Sequence, residues 1–304
     1  MIHPPLQERH YDYVIGPNQD SRLASVAAGT IIDKIKLQTD GDAPFELRSR
    51  AVRCAYDASL TQTPLIGLTS QWTGPTRDYR SSFLLESLQM AYYGQGGTPK
   101  PIVPGIRYPA NSIIEIDIWH RGTTTITNLT FYFRGVKLYD WGAVPGPTYP
   151  PVFKRGQTFS YPINVASLGV SETRLTNLFT CKQDADFVFR AGQGPTLFTS
   201  GGRTLAEIFI TLKDADKNPY SNDFVHFDIL FGSGAAPATI PVGATPSYIS
   251  PFGTGPAQPG LVYPEIYIPK NQQLIYDLQR ADGSGGSNQS ETFNFNLIGM
   301  KVFQ

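Results

Sequence analysis

The sequence predicts an all-β chain made of two related antiparallel β-sandwiches, jelly-roll-like, with an extended N-terminal arm. Three observations predict it. Turn formers and strand formers are abundant together, with 29 Gly and 25 Pro but also 16 Tyr and 18 Phe among 304 residues. That mixture suits many short strands joined by tight turns, and a disordered chain would lack its aromatics. Apolar and polar residues alternate: Ile114, Ile116 and Ile118 with Glu115 and Asp117, and Phe131 and Phe133 with Thr130 and Tyr132, the period of a strand with one buried face. Finally, three blocks recur in the same order in the two halves of the chain, an internal repeat of the kind that organises a whole fold.

The first block is Asp42-Ala43-Pro44-Phe45-Glu46-Leu47-Arg48 against Asp184-Ala185-Asp186-Phe187-Val188-Phe189-Arg190. The second is Tyr108-Pro109-Ala110-Asn111, leading into the strand 112–118, against Ile268-Pro269-Lys270-Asn271, leading into 272–278. Both carry Pro-x-Asn and then an apolar strand with an aspartate, Asp117 or Asp277. The third is Leu129 to Tyr139 against Phe293 to Phe303, in which Gly135 matches Gly299 and Lys137 matches Lys301. An internal duplication accounts for the three blocks together.

Taken in order, residues 1–30 are polar and rich in turn formers such as Gly16-Pro17-Asn18-Gln19-Asp20, and are expected either as an arm gripping a neighbour or as a frayed terminus. Residues 31–140 form the first sandwich. Residues 141–159 form a linker stiffened by Pro145, Pro147, Pro150 and Pro151, a semi-rigid spacer. Residues 160–304 form the second sandwich, with a Gly/Pro/Ala/Ser-rich surface loop at 232–260. Phe83, Leu84, Leu88 and Tyr92 have near-helical spacing within 82–93, but that stretch aligns with 224–231, whose β-branched and aromatic run reads as strand. Both are therefore expected as strands.

Composition and motifs exclude more than they assign. Lys+Arg and Asp+Glu balance at 25 each, against a nucleic-acid binder, and the apolar runs fall far short of the roughly 20 residues of a membrane helix. The N-terminus lacks the basic and apolar regions of a secretory signal, which predicts a chain kept in the cytosol and leaves the sequons at Asn128 and Asn288 unused. Cys54 and Cys181 are too few for a disulfide framework and read as small apolar residues. His3, His10, His120 and His226 lack metal-site spacing. Glu115 and Asp117 share a strand face, as a glycosidase pair would, but that face is the solvated one. Asp214-Ala215-Asp216-Lys217-Asn218 begins like a calcium loop and then departs from it, with Pro219 and Val225 at the sixth and twelfth positions, where Gly and Glu belong. It reads as an Asp/Asn turn, with an irregular ion site as the alternative. Arg48, Arg50 and Arg53 form a small basic run that fits a solvated strand. No phosphate cradle or nucleophile elbow occurs. The sequence thus predicts no enzyme, and no catalytic, cofactor or metal residue.

Lys213-Asp214-Ala215-Asp216-Lys217-Asn218-Pro219-Tyr220, Ile268-Pro269-Lys270-Asn271 and Phe295-Asn296-Leu297-Ile298-Gly299-Met300-Lys301 resemble elements of virion proteins of tailed bacteriophages. The resemblance implies a non-enzymatic particle component, assembled in the host cytoplasm and present in many copies on the head or at the neck. It carries no site residues. The resulting expectation is a head decoration or minor capsid protein in the virion, a homo-oligomer bound to the major capsid protein or other virion proteins, with neither nucleic acid nor membrane as partner. Two readings stand beside it. One is a neck, collar or tail-associated structural protein, or a carbohydrate- or receptor-binding adhesin that would stack Trp72, Trp119, Trp141, Tyr92 or Tyr93 on sugars; the other is a sandwich hydrolase that would lose turnover in Asp117→Asn.

Overall fold

The structure, a computed structural model, describes residues 7–55, 66–73, 78–80, 85–86, 91–92, 100–120, 125–140, 143–146, 155–168, 174–193, 208–231, 260–280 and 291–303. The chain is all-β and its described strands form four sheets. In the first half, one sheet holds β1 (Gln7–Ile15), β2 (Ser25–Val26), β4 (Phe45–Ala55), β8 (Ala91–Tyr92), β9 (Lys100–Tyr108) and β11 (Ile126–Tyr139). Its order is β1-β11-β4-β8, with β2 on β11 and β9 on β4. The facing sheet holds β3 (Ile31–Gln38), β5 (Ile66–Thr73), β6 (Asp78–Arg80), β7 (Leu85–Glu86) and β10 (Ile113–His120), in the order β3-β10-β5-β6 with β7 on β5. In the second half, β12 (Arg155–Leu168), β14 (Asp186–Gln193), β17 (Gly260–Ile268) and β19 (Glu291–Phe303) run β12-β19-β14-β17. Opposite them, β13 (Leu175–Thr180), β15 (Ile208–Lys213), β16 (Val225–His226) and β18 (Gln273–Arg280) run β13-β18-β15-β16. Among the described strands pairing is antiparallel, apart from the short β4–β8 contact, and an isolated parallel bridge joins Asp12 to Ser221. Among the described residues no helix is long and apolar enough to cross a membrane.

One order of pairing thus occurs twice: β1-β11-β4-β9 matches β12-β19-β14-β17, and β3-β10-β5-β6 matches β13-β18-β15-β16. The matched sequence blocks have matching local causes. Asn111 and Asn271 sit at φ 59° and 62°, the left-handed conformation that Asn tolerates, and so turn each Pro-x-Asn into its strand. Gly135 and Gly299 press against the main-chain carbonyls of Glu46 and Val188, where no side chain fits. Lys137 Nζ lies 2.7 Å from Asp40 and 2.9 Å from Asp42, over the Tyr11 ring at 4.0 Å. Lys301 Nζ lies 2.5 Å from Asp184, over Phe159 at 4.1 Å. Each buried ammonium is held by a carboxylate and an aromatic face.

Arg48 and Arg190 match as well, and the structure revises how they are read. The register of β4 on β11 slips between Leu47 and Ser49, and that of β14 on β19 between Phe189 and Ala191. Each arginine is the extra residue of a β-bulge, which bends the strand and redirects the side chain. Arg48 pairs with Glu8 and Glu46, and Arg190 with Glu265 at 3.0 Å.

Several expectations are corrected. Residues 7–30 are not an arm outside the sandwich: β1 pairs with β11 along its whole length, and β2 follows a 3-10 turn at Ser21–Ala24. Tyr11, Tyr13 and Ile15 lie in the first core, and that burial holds the segment in the sheet. The linker ends earlier than expected, because β12 begins at Arg155. In 224–231 only β16 is strand; Phe227–Phe231 is a helical turn, α1. Its cause is packing, since Phe227 and Phe231, four residues apart, stack at 4.5 Å and Phe231 seats over Gly192, where a methyl group would overlap the ring. Of 82–93, only β7 and β8 lie among the described residues; nearly all of 232–260 lies outside them.

Candidate functional site at the seam between the sandwiches

β1 is buried on both faces. Tyr11, Tyr13 and Ile15 fill the first core, while Val14 joins Ala51 and Tyr132 in the core of the second half. The outer edge of β1 is not open either, because 220–222 pairs with it. Asp12 N donates to Tyr220 O at 3.0 Å, Asn222 N to Asp12 O at 3.3 Å and Val14 N to Asn222 Oδ1 at 2.6 Å, and Asn222 Nδ2 donates to Val14 O at 3.1 Å. An amide side chain here extends a ladder from one sandwich to the other and satisfies main-chain groups that would otherwise be buried unpaired.

Two buried charge clusters flank this ladder. Asp12 accepts from Arg134 Nε at 3.1 Å and lies 3.1 Å from His10 Nε2, while Arg134 Nη1 donates to Ile229 O in α1 at 3.1 Å. Burial alone would raise the Asp12 pKa, but Arg134 and His10 outweigh it and hold the carboxyl below its ordinary value. At the other end, Arg9 reaches Asp214 at 3.3 Å, Asn218 O at 3.0 Å and Pro145 O, and covers the Tyr220 ring at 4.4 Å. Asp214 also accepts from Asn218 N at 2.8 Å and from Asn218 Nδ2. Lys217, at φ 68°, completes the turn. Gly146, at φ 83°, lies so close to the Asp214 carboxylate that a methyl group would overlap it, which ties the linker to the seam.

Beside the second cluster lies a cleft of about 280 Å³ whose lining includes Gly146, Asp216, Tyr220, Tyr267, Gln272 and Gln273. One wall is the Asp214–Asn218 turn and the other the β17–β18 connection. That connection is fixed by Asp186, which accepts from Tyr267 OH at 2.6 Å and from Lys270 N at 2.9 Å.

The residues singled out in the sequence go to separate places. His10 lies in the seam, His226 is buried 4.2 Å from the Phe209 ring, and His3 is outside the described residues. His120 ends β10 and is buried, its main chain bonded to Thr30 and Gly29. Asp117 accepts from Lys34 N at 2.8 Å, and Glu115 pairs with Lys36 at 3.9 Å. Asp277 accepts from Thr176, Thr211, Lys213 and Arg174. Asp117 and Asp277 therefore each brace the neighbouring edge strand, Asp117 through a main-chain N–H and Asp277 through the Thr176 hydroxyl. Asp214 is held by Arg9 and Asn218. Among the described residues no group of three His, Cys, Asp or Glu is placed to hold a metal ion. Burial lowers the Arg50 pKa. Cys181 is free and buried, its thiol pushed up to about 11 by burial. The side chains of Trp72, Trp119, Trp141, Tyr92, Tyr93, Arg53 and Cys54 lie outside the described residues.

Sequence reasoning missed Arg9, Asp12, Arg134 and Asn222 as a group. Their only local signal is charge set inside aromatic strands, as in Arg9-His10-Tyr11-Asp12-Tyr13 and Phe131-Tyr132-Phe133-Arg134.

No family model matches the chain, and no curated protein matches it. Among solved structures, it is similar at 8% identity to PNGase F, a glycosylasparaginase from Flavobacterium meningosepticum (96% of each chain, TM-score 0.20). It is similar at 8% identity to the N-terminal CBM22-1-CBM22-2 tandem domain of Xyn10C from Paenibacillus barcinonensis (99% of this chain, 98% of that one, TM-score 0.19). It is similar at 9% identity to infectious bursal disease virus, Gx strain (99% of this chain, 73% of that one, TM-score 0.20). At these TM-scores the likenesses carry no argument about fold or function.

Proposed function

We propose that this chain is a non-enzymatic structural protein of a tailed-bacteriophage virion, a head decoration or minor capsid protein that binds the shell as a homo-oligomer. The seam carries the reading. Asp12 is paired with Arg134 and Asp214 with Arg9, all four buried, and both arginines donate to main-chain carbonyls of the second half, so these charges brace a two-sandwich body against bending. Such a body suits a part that spans neighbouring subunits, where modest contacts add up through repetition. Ile31 and Leu178, 65% and 51% exposed on the edge strands β3 and β13, offer apolar surface to those neighbours. The shared order of strand pairing supports descent of both sandwiches from one duplicated unit.

The test is sedimentation of the untagged chain from its source lysate, with quantitative mass spectrometry of each fraction. Co-sedimentation with a megadalton particle at a fixed multiple of a shell protein is expected, and the copy number separates the head from the neck, collar or tail. A small free oligomer in every fraction overturns the reading.

A further inference from the structure

We propose that the cleft between the Asp214–Asn218 turn and the β17–β18 connection is a binding site for a neutral saccharide unit, recognised by Asp216, Gln272 and Gln273. This goes beyond the structural role and stands or falls separately from it.

The walls are fixed before any ligand arrives. Asp214 is held by Arg9 and Asn218, Gly146 lies against that carboxylate, Tyr220 lies under the Arg9 guanidinium, and Tyr267 is held by Asp186. A pre-set wall spares the ligand the ordering cost of a mobile one. Against these locked groups stand three exposed, uncommitted ones. Among the described residues nothing donates to the Asp216 carboxylate or bonds the side-chain amides of Gln272 and Gln273, whose main chains alone are engaged. Their chemistry is complementary to hydroxyl groups. A carboxylate only accepts and an amide both donates and accepts, while each hydroxyl needs one partner of each kind. Pro269, partly exposed, adds an apolar edge, which the C–H face of a sugar ring can cover.

Charge narrows the class. The lining holds two carboxylates and no cation, since the Arg9 guanidinium is occupied by carbonyls and Asp214; an anion is therefore disfavoured. The chain neighbours of the lining include exposed Lys217 and Lys270, which oppose a cationic peptide. The volume of about 280 Å³ lies at the lower end of small-ligand pockets, which suits a single sugar unit or a chain end.

Saturation-transfer-difference NMR on the full-length chain tests this with the methyl glycosides of glucose, galactose, N-acetylglucosamine and rhamnose, and with inorganic phosphate and tetralysine as contrasts. At least one glycoside is expected to receive saturation, with affinity reduced about tenfold or more, the effect of losing a hydrogen bond to a charged group, in Asp216→Ala. A Gln272→Ala/Gln273→Ala double variant is expected to weaken the same glycoside. Both variants should melt like the parent, because the altered side chains are exposed. Silence from every glycoside overturns the proposal. So does a signal unchanged in both variants, which would place the sugar elsewhere, and so does cleft binding by phosphate or tetralysine alone. A chain found free of particles leaves this site standing, and silent glycosides leave the virion role standing.

Discussion

Gly135 and Gly299 lie where two strands approach within the reach of a side chain's first carbon, against Glu46 O and Val188 O. Gly135→Ala must push a main-chain carbonyl aside, and a stability loss of about 1–3 kcal/mol is expected in urea unfolding; a midpoint equal to the parent's would show that the strand yields freely. Asp277 offers a test by pH. Burial works against its charged form, but hydrogen bonds from Arg174, Lys213 and Thr176 prevail and hold its pKa at about 2, below the ordinary 3.8. A depressed carboxylate stabilises the fold above its unfolded value, and that contribution is lost as pH falls from about 4 toward 2. Asp277→Asn is expected to cost on the order of 1–2 kcal/mol at neutral pH, after allowance for the half-exposed Arg174, and to flatten the acid limb of the melting-temperature profile. An unchanged acid limb would assign that sensitivity to other carboxylates.

At the scale of elements, β1 changes what a truncation means. The chain before residue 31 reads as a polar arm or frayed terminus, but β1 pairs with β11 over nine positions and is covered on its other edge by 220–222. Deleting residues 1–15 is therefore expected to unfold the first sandwich and expose the second core at Val14's place, visible as lost β circular dichroism and as aggregation on gel filtration. A truncated chain that elutes as a folded species would show that β1 is an accessory strand. The two outer strands also differ. β3 is broken by Lys34 at φ 55°, pinned by Asp117, and carries Asp33, Lys34 and Lys36. β13 pairs with β18 in unbroken register and has no charged residue. Bulges and charge protect an edge from pairing with another chain, so β3 is guarded and β13 is open.

For the whole molecule, the seam decides whether two sandwiches behave as two domains or one. Val14, Ala51 and Tyr132 share the core of the second half, and the Asp12–Arg134–Ile229 bridge is buried. A single calorimetric transition is expected for the parent chain. Arg134→Met leaves Asp12 buried with His10 as its side-chain partner, a loss of about 3–5 kcal/mol for breaking a buried pair, and is expected to split the transition in two. Two transitions in the parent would mean that the seam is a loose contact.

The sequence by itself determined the all-β class, the alternating faces of β10 and β11, the Pro-x-Asn turns, and the matched Gly and Lys positions. Each of these is set by neighbours a few residues away or by a repeat visible in the chain. It did not reveal β1, because Glu8, Arg9, His10 and Asp12 make the segment read as polar, and the partners that bury Arg9 and Asp12 lie far along the chain. Nor did it reveal α1, because a run as short as Phe227-Asp228-Ile229-Leu230-Phe231 has no period that separates strand from helix until Gly192 and the stacked Phe227 and Phe231 select the helix. Only the tertiary structure decided the fate of the charges. Arg9 and Asp214 are joined across 205 positions and Asp12 and Arg134 across 122, and local patterning carries no record of pairing at that range. The cleft has the same origin, since its walls come from the linker, the 214–220 turn and the 267–274 connection, which meet only because the seam brings them together.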